Sequence, residues 1–209
     1  MTTRPRGRPR SYDPDAALDA ALNLFWSRGF AGTTLDALSD VTGMKRPSLY
    51  AAFGDKGALF ETVIARFTAE MAERAAAALA LSRVDDALEA LALSFVDMYA
   101  PASGPSRGCL VFSVASLEAA EDERLRQVVG DTIERLDGAL RERLDAAVSA
   151  GELPAGTDTD TLARCLSSQL HSLSLRGRAG GTRRALRKLA RGAVTLLLCG
   201  ARASGARGA

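Results

Sequence analysis

The stretch Thr33 to Phe60, TTLDALSDVTGMKRPSLYAAFGDKGALF, constrains this chain more than any other. Leu35 and Leu38 sit three apart, on one face of a helix. Thr34 precedes them and is placed to cap that helix through its hydroxyl, with Asp36 and Asp40 on the exposed side. Gly43 ends the run, and a glycine there can take the positive φ that a sharp helix-to-helix turn requires. A second short run is expected from Met44, with Leu49 and Phe53 four apart on its buried side. Pro47 falls in its first turn, where a helix tolerates proline. Lys45, Arg46, Ser48 and Tyr50 are left outside. Small, basic and hydroxyl-bearing side chains on a short exposed helix suit a DNA major groove.

Composition sets the outer bounds. The chain has 209 residues, enough to bury a sizeable core in one domain or two, and its hydrophobic content of 47% is ordinary for a globular protein. Alanine and leucine dominate and prolines are few, which favours an all-helical chain. No apolar run approaches the ~20 residues of a membrane helix, and the basic N-terminus lacks the apolar segment of a signal peptide. The three cysteines, Cys109, Cys165 and Cys199, are widely spaced and odd in number, which suits a reducing cytoplasm better than a disulfide framework. Net charge is only +2, but every acidic residue lies between Asp13 and Asp160. Basic ends around an acidic middle imply a polyanion partner at one end at least.

The pattern Thr33-Thr34, Leu38-Ser39, Thr42-Gly43-Met44, Ser48-Leu49-Tyr50, Phe53, Asp55-Lys56, Leu59-Phe60 resembles the DNA-binding domain of the TetR (tetracycline-repressor-like) transcriptional regulators. The likeness continues upstream through Ala21, Leu24, Phe25, Arg28-Gly29-Phe30 and Gly32, so that it covers about Asp15 to Val63. It implies an all-α protein of about nine helices: a three-helix helix-turn-helix domain, then a helical ligand-binding and dimerisation domain. It also implies double-stranded DNA as a partner, met by Thr33, Thr34, Lys45, Arg46, Pro47, Ser48, Tyr50 and Lys56. Two positions depart from the family pattern. Lys45 stands where a serine or threonine caps the recognition helix, and Pro47 where glycine is common. Lys45 has no oxygen to cap with and is expected to contact phosphate instead.

The expected domains are a basic arm at 1–11, the head at 12–60, the second domain at 61–203 and a disordered tail at 204–209. In the arm, Pro5-Arg6-Gly7-Arg8-Pro9 resembles an AT-hook. Arg6, Arg8 and Arg10 are placed to enter a narrow A·T-rich minor groove, or else simply to form a solvated basic tail. Asp13-Pro14-Asp15 starts a helix that ends before Gly29. Phe25 and Phe30 are expected in the core, with Trp26 next to that face in a structural role. A fourth helix is expected from about Asp55 to Leu81, with Asp55 as cap and Lys56 at its N-terminus, where dipole and charge suit a DNA phosphate. Its length makes it a lever between the two domains. Tyr50 and Lys56 are expected to act on phosphate, Arg46 and Ser48 on bases.

Further helices are expected over 84–100, from Gly108 through Leu117, over 121–150, over 161–175 and over 183–198, the last pair broken by Gly177, Gly180 and Gly181. Leu162, Leu166, Leu170, Leu173, Leu186, Leu189, Val194 and Leu197 wrap this final pair in apolar surface. By resemblance they meet the same pair of a second subunit, making a homodimer. The alternative is that they cap the core of a monomer. Phe95, Met98, Tyr99, Cys109, Phe112, Leu117, Gln169 and His171 are candidates to line a pocket for an unknown small-molecule effector, although such residues at helical spacing also build ordinary core. Cys109 reads as a sensor thiol or as a small buried apolar residue. No metal-ligand spacing, glycine-rich phosphate loop or nucleophile-base set is present, so neither a cofactor nor an enzyme is expected. A DNA-binding regulator, in outline a repressor released from a near-palindromic operator by its ligand, and a constitutive or architectural DNA-binding protein both fit this sequence.

Overall fold

The computed structural model of the chain describes residues 13–205. Among them there are helices and no strands, and the chain divides into two compact units at Val63–Ile64, inside the fourth helix. Arg6, Arg8 and Arg10 lie outside the described residues.

In the first unit, α1 (Pro14–Arg28) begins as the sequence suggests. Asp13 accepts a hydrogen bond from the Asp15 amide at 3.0 Å, and Pro14 stands in the first turn. Helix α2 (Leu35–Thr42) is capped by Thr34, whose Oγ1 accepts from the Ala37 amide at 3.2 Å. It ends at Gly43 in the left-handed region, with φ 67° and ψ 9°. Thr42 also ties the turn, its Oγ1 donating to the Leu38 carbonyl at 2.7 Å and accepting from the Met44 amide at 3.2 Å. Helix α3 is Arg46–Phe53, starting two residues later than expected, because Met44 is buried inside the turn and Lys45 is the extended cap residue. Helix α4 (Lys56–Leu79) opens with Asp55 Oδ1 accepting from the Ala58 amide at 2.8 Å. The core is aromatic: Phe60 lies 4.9 Å from both Phe25 and Phe30, ring centroid to ring centroid.

In the second unit, α5 (Val84–Tyr99) packs on α9 (Arg183–Gly205), and α8 (Thr159–Arg178) packs on both α7 (Glu123–Ser149) and α9. Helix α9 runs through Ser204, where the sequence suggested a disordered tail. The short helix expected from Gly108 is a single π-turn, Val111–Ala115, followed by α6 (Ser116–Glu118). Gly108 is required there. Its φ is +69°, and a Cβ on it would lie 2.5 Å from the Ser174 carbonyl oxygen. Gly177 does not break the final pair; it sits buried within α8 beside the Gly108 backbone, and the break falls at Gly180–Gly181.

A ladder of ion pairs runs between α9 and α5. Arg183 and Arg187 donate to Asp97 at 3.0 and 2.6 Å, Arg191 to Glu89 at 2.7 Å, and Arg202 to both oxygens of Asp85 at 2.9 and 2.7 Å. The Arg202 hydrogen bonds hold the Asp85 carboxyl below its usual range. The α4–α5 turn is tied by Glu152, which accepts from the Val84 amide at 2.7 Å. Arg143 beside it donates to the Ser82 carbonyl at 2.9 Å.

Candidate DNA interface and ligand cavity

The two-helix motif presents one polar face. Thr34, Lys45, Arg46, Pro47, Ser48 and Tyr50 are all exposed, while Leu49 is buried beneath them. Lys45 makes no capping bond, so its ammonium is not used to close α3. Arg46 is engaged: its Nε donates to Asp36 Oδ1 at 2.9 Å, and Nη2 closes on the same oxygen. That contact raises the Arg46 guanidinium further above its usual value. Asp36, on α2, was not among the expected interface residues. The ten-residue separation gave no sign that an arginine at the start of α3 would fold back on it.

Thr33 and Lys56 sit differently from the rest. Thr33 is buried, and its hydroxyl donates to the Gly29 carbonyl at 2.7 Å. It supports the turn before α2 and is not on the exposed face. Lys56 is half-buried. Its ammonium donates to the carbonyls of Phe30 and Thr33, both at 3.0 Å, and lies 4.1 Å above the centre of the Phe30 ring. Two of its three N–H bonds therefore bind the loop between α1 and α2 to the start of α4.

The second unit contains a cavity of about 140 Å³ between α4, α5 and α7. Thr68, Met71, Ala72, Ala75 and Ala76 form the α4 wall, Phe95 the α5 wall, and Thr132, Arg135, Leu136 and Ala139 the α7 wall. Of the eight ligand candidates read from sequence, Phe95 alone lines it. Met98, Tyr99 and Cys109 are buried. Phe112 packs against His171, ring centroids 4.0 Å apart. Leu117, at 73% exposure, and Gln169 lie at the surface and line no part of this cavity. Leu117 lies in α6, directly after the π-turn, and Gln169 occupies the outer face of α8.

Near the cavity, burial pushes the Cys109 thiol up to about 12 and the Tyr99 hydroxyl well above its usual value. Burial lowers His171, which Asp137 partly offsets. Among the described residues no group of three or more His, Cys, Asp or Glu side chains is disposed to hold a metal, and no helix is long and apolar enough to cross a membrane.

The expected dimer residues divide sharply. Leu162, Leu166, Leu170, Leu173, Leu186 and Val194 are buried in the chain's own core. Leu189 is exposed and Leu197 half-buried, and both line a shallow groove on α8–α9 with Ala185, Gly192, Ala193 and Leu196. Leu196 is 74% exposed, and Leu175, near the end of α8, is 57% exposed. Spacing alone could not separate the leucines of the inner stripe from those of the outer one, since a helix that is apolar nearly all round offers both.

Comparison with known proteins agrees with this geometry. Residues 17–63 match the family described as "Bacterial regulatory proteins, tetR family", and residues 80–193 match "Tetracyclin repressor-like, C-terminal domain". The HTH-type transcriptional repressor ComR of Escherichia coli (strain K12) is 30% identical over 191 residues, 88% of this chain and 89% of that protein. The repressor BdcR of the same organism is 44% identical over 62 residues, which is 30% of this chain and 32% of that one. Among solved structures, a cysteine mutant of the TetR family regulator CifR, complexed with 26-bp double-strand operator DNA, superposes with a TM-score of 0.81. Its identity is 30%, over 90% of this chain and 98% of that one. With a helix-turn-helix head, an all-helical second unit and likeness along nearly its whole length, this chain belongs to the TetR family of bacterial regulatory proteins.

Proposed function

We propose that this DNA-binding transcriptional regulator works as a homodimeric repressor, released from a near-palindromic operator when a small molecule occupies the cavity of the second unit. The observation that carries the reading is the exposed face of α2–α3. There Lys45, Arg46, Ser48 and Tyr50 project from a short helix whose other side is closed by Leu49. Such a helix fits a major groove, and two copies related by a two-fold axis read two half-sites. The operator complex of the CifR mutant supports double-stranded DNA as the partner.

The cavity supports ligand control over constitutive binding. Its longest wall belongs to α4, the helix whose first residue, Lys56, grips the α1–α2 loop. A ligand that favours one position of α4 shifts the population of heads able to bind DNA, by as much as its affinities for the two states differ. Leu175, Leu189, Leu196 and Leu197 are the apolar surface offered to a second subunit. A regulator that acts on DNA, like its bacterial relatives, works in the cytoplasm.

The test is fluorescence anisotropy of the purified protein on DNA from upstream of its own gene and on random DNA, over a salt series. Saturable binding much tighter than to random DNA, at two protomers per site, is expected. Equal and steeply salt-dependent binding to both points to an architectural role. A monomer mass at micromolar concentration removes the dimer from this reading.

A further inference from the structure

Behind the Met71 side of the cavity lie a thiol that donates weakly to the Met71 sulfur and a hydroxyl with no regular partner. Met71 lines the cavity, and its sulfur is 3.8 Å from the Cys109 sulfur. Beside that thiol is the Tyr99 hydroxyl, within a fully buried side chain. The hydroxyl and the thiol are near enough for a weak O–H···S contact, but the hydroxyl makes no hydrogen bond of regular geometry. The Tyr99 ring in turn leans on Phe95, 6.0 Å between centroids, and Phe95 lines the cavity. A buried hydroxyl without a partner is unfavourable, and a phenylalanine would fill the same space without that penalty.

The two threonine hydroxyls of the wall are already occupied. The Thr68 hydroxyl donates to the Ala65 carbonyl at 3.0 Å and the Thr132 hydroxyl to the Val128 carbonyl at 2.7 Å. Arg135 stands exposed at the rim, its Nε bonded to the Asp131 carbonyl at 3.1 Å. At about 140 Å³ the space is close to the ~150 Å³ known to admit a benzene-sized molecule. An ionised group carried to the Tyr99–Cys109 end would lose its hydration and meet no counter-charge.

We propose that the cavity takes a neutral molecule about one ring in size that carries a single carbonyl or ether oxygen, and that Met71 swings aside so that this oxygen accepts a hydrogen bond from the Tyr99 hydroxyl. This rests on the regulatory reading above and names the chemistry of its ligand. Methionine suits the gate, because its unbranched thioether repacks easily. Cys109, held as a neutral thiol by burial, packs against the gate and forms no bond to the ligand.

The probes are acetophenone, toluene and benzoate, added to the full-length protein without DNA, with calorimetry and thermal melting as readouts. Acetophenone is expected to bind tightest, toluene more weakly, and benzoate not to raise the melting temperature. Tyr99→Phe is expected to weaken acetophenone roughly tenfold, to the level of toluene, while leaving toluene unchanged. Ala75→Leu, which fills the cavity, is expected to abolish binding of both. Equal acetophenone binding by the parent protein and Tyr99→Phe would overturn the proposal. So would tightest binding by benzoate, binding that survives Ala75→Leu, or no binding by any probe. Because no DNA is present, these outcomes are independent of operator release. A probe that binds but leaves the operator complex intact would fault the regulatory reading and not this one.

Discussion

The Arg46 guanidinium closes on the Asp36 carboxylate, holding the first residue of α3 against α2 with Nε 2.9 Å from Oδ1. Both side chains are more than half exposed, so the contact directs Arg46 more than it stabilises the fold. It also sets a negative charge on the face proposed to meet DNA. Asp36→Asn is therefore expected to strengthen binding to random DNA several-fold. It should also steepen the salt dependence by about one unit of slope and narrow the preference for operator. Anisotropy on both DNAs, from low to physiological salt, checks this; an unchanged ratio of affinities contradicts it.

Lys56 is tied to the carbonyls of Phe30 and Thr33; without it the Thr33 carbonyl loses this partner, while the Phe30 carbonyl still accepts from the Thr33 amide at 3.1 Å. Lys56→Met is expected to destabilise the first unit by about 1–2 kcal/mol. It should also weaken binding to every DNA sequence alike. Trp26, the only tryptophan of the chain, is buried in α1, so its fluorescence during urea unfolding reports this unit. A variant as stable as the parent but weak on DNA would mean that the lysine serves phosphate alone.

The cysteines should differ in reactivity. Cys109 is buried and its thiol pushed up to about 12, whereas Cys165 and Cys199 are exposed. Thiolate, not thiol, is alkylated. Iodoacetamide at pH 8 is thus expected to modify Cys165 and Cys199 without denaturation, more slowly where the proposed dimer face beside Leu196 and Leu197 covers them, and Cys109 only after denaturation. Peptide mass spectrometry distinguishes the three. Rapid native labelling of Cys109 would show that the cavity wall opens far more readily than its packing suggests.

His171 gives a pH dependence of defined sign. Burial against Phe112 lowers it from its usual 6.5, with Asp137 opposing. Between the folded and unfolded values only the unfolded chain holds the proton. Stability is therefore full above about pH 6.5, falls as the pH drops below it, and levels off below the folded value. His171→Asn should flatten that slope. As the protein's single histidine, its ring resonances can be followed by NMR, and a midpoint at or above 6.5 contradicts the reading.

The head was legible in the sequence because its signals are local. Thr34, Gly43, Pro47 and Asp55 each act within a few residues of themselves, as caps or turns. The cavity was not. It is made by what α4 lacks, and Ala72, Ala75 and Ala76 read only as good helix formers. The same holds for Leu162 and Leu189, alike in composition and helical setting yet facing inward and outward. For Lys56 the sequence shows its place at a helix N-terminus but not the carbonyls it holds, more than twenty residues upstream.

The arginine ladder on α9 bears on how the protein finds its site. In sequence, the acid-free C-terminal end looks as adhesive to nucleic acid as the N-terminal arm. In the fold, Arg183, Arg187, Arg191 and Arg202 meet three carboxylates of α5, with Arg183 and Arg187 sharing Asp97, so most of their charge is offset at short range. A protein sticky at both ends would bridge neighbouring duplexes and stall. With much of that charge turned onto α5, the second half offers a passing duplex less than its sequence suggests, and non-specific contact is expected to fall more heavily on the N-terminal half.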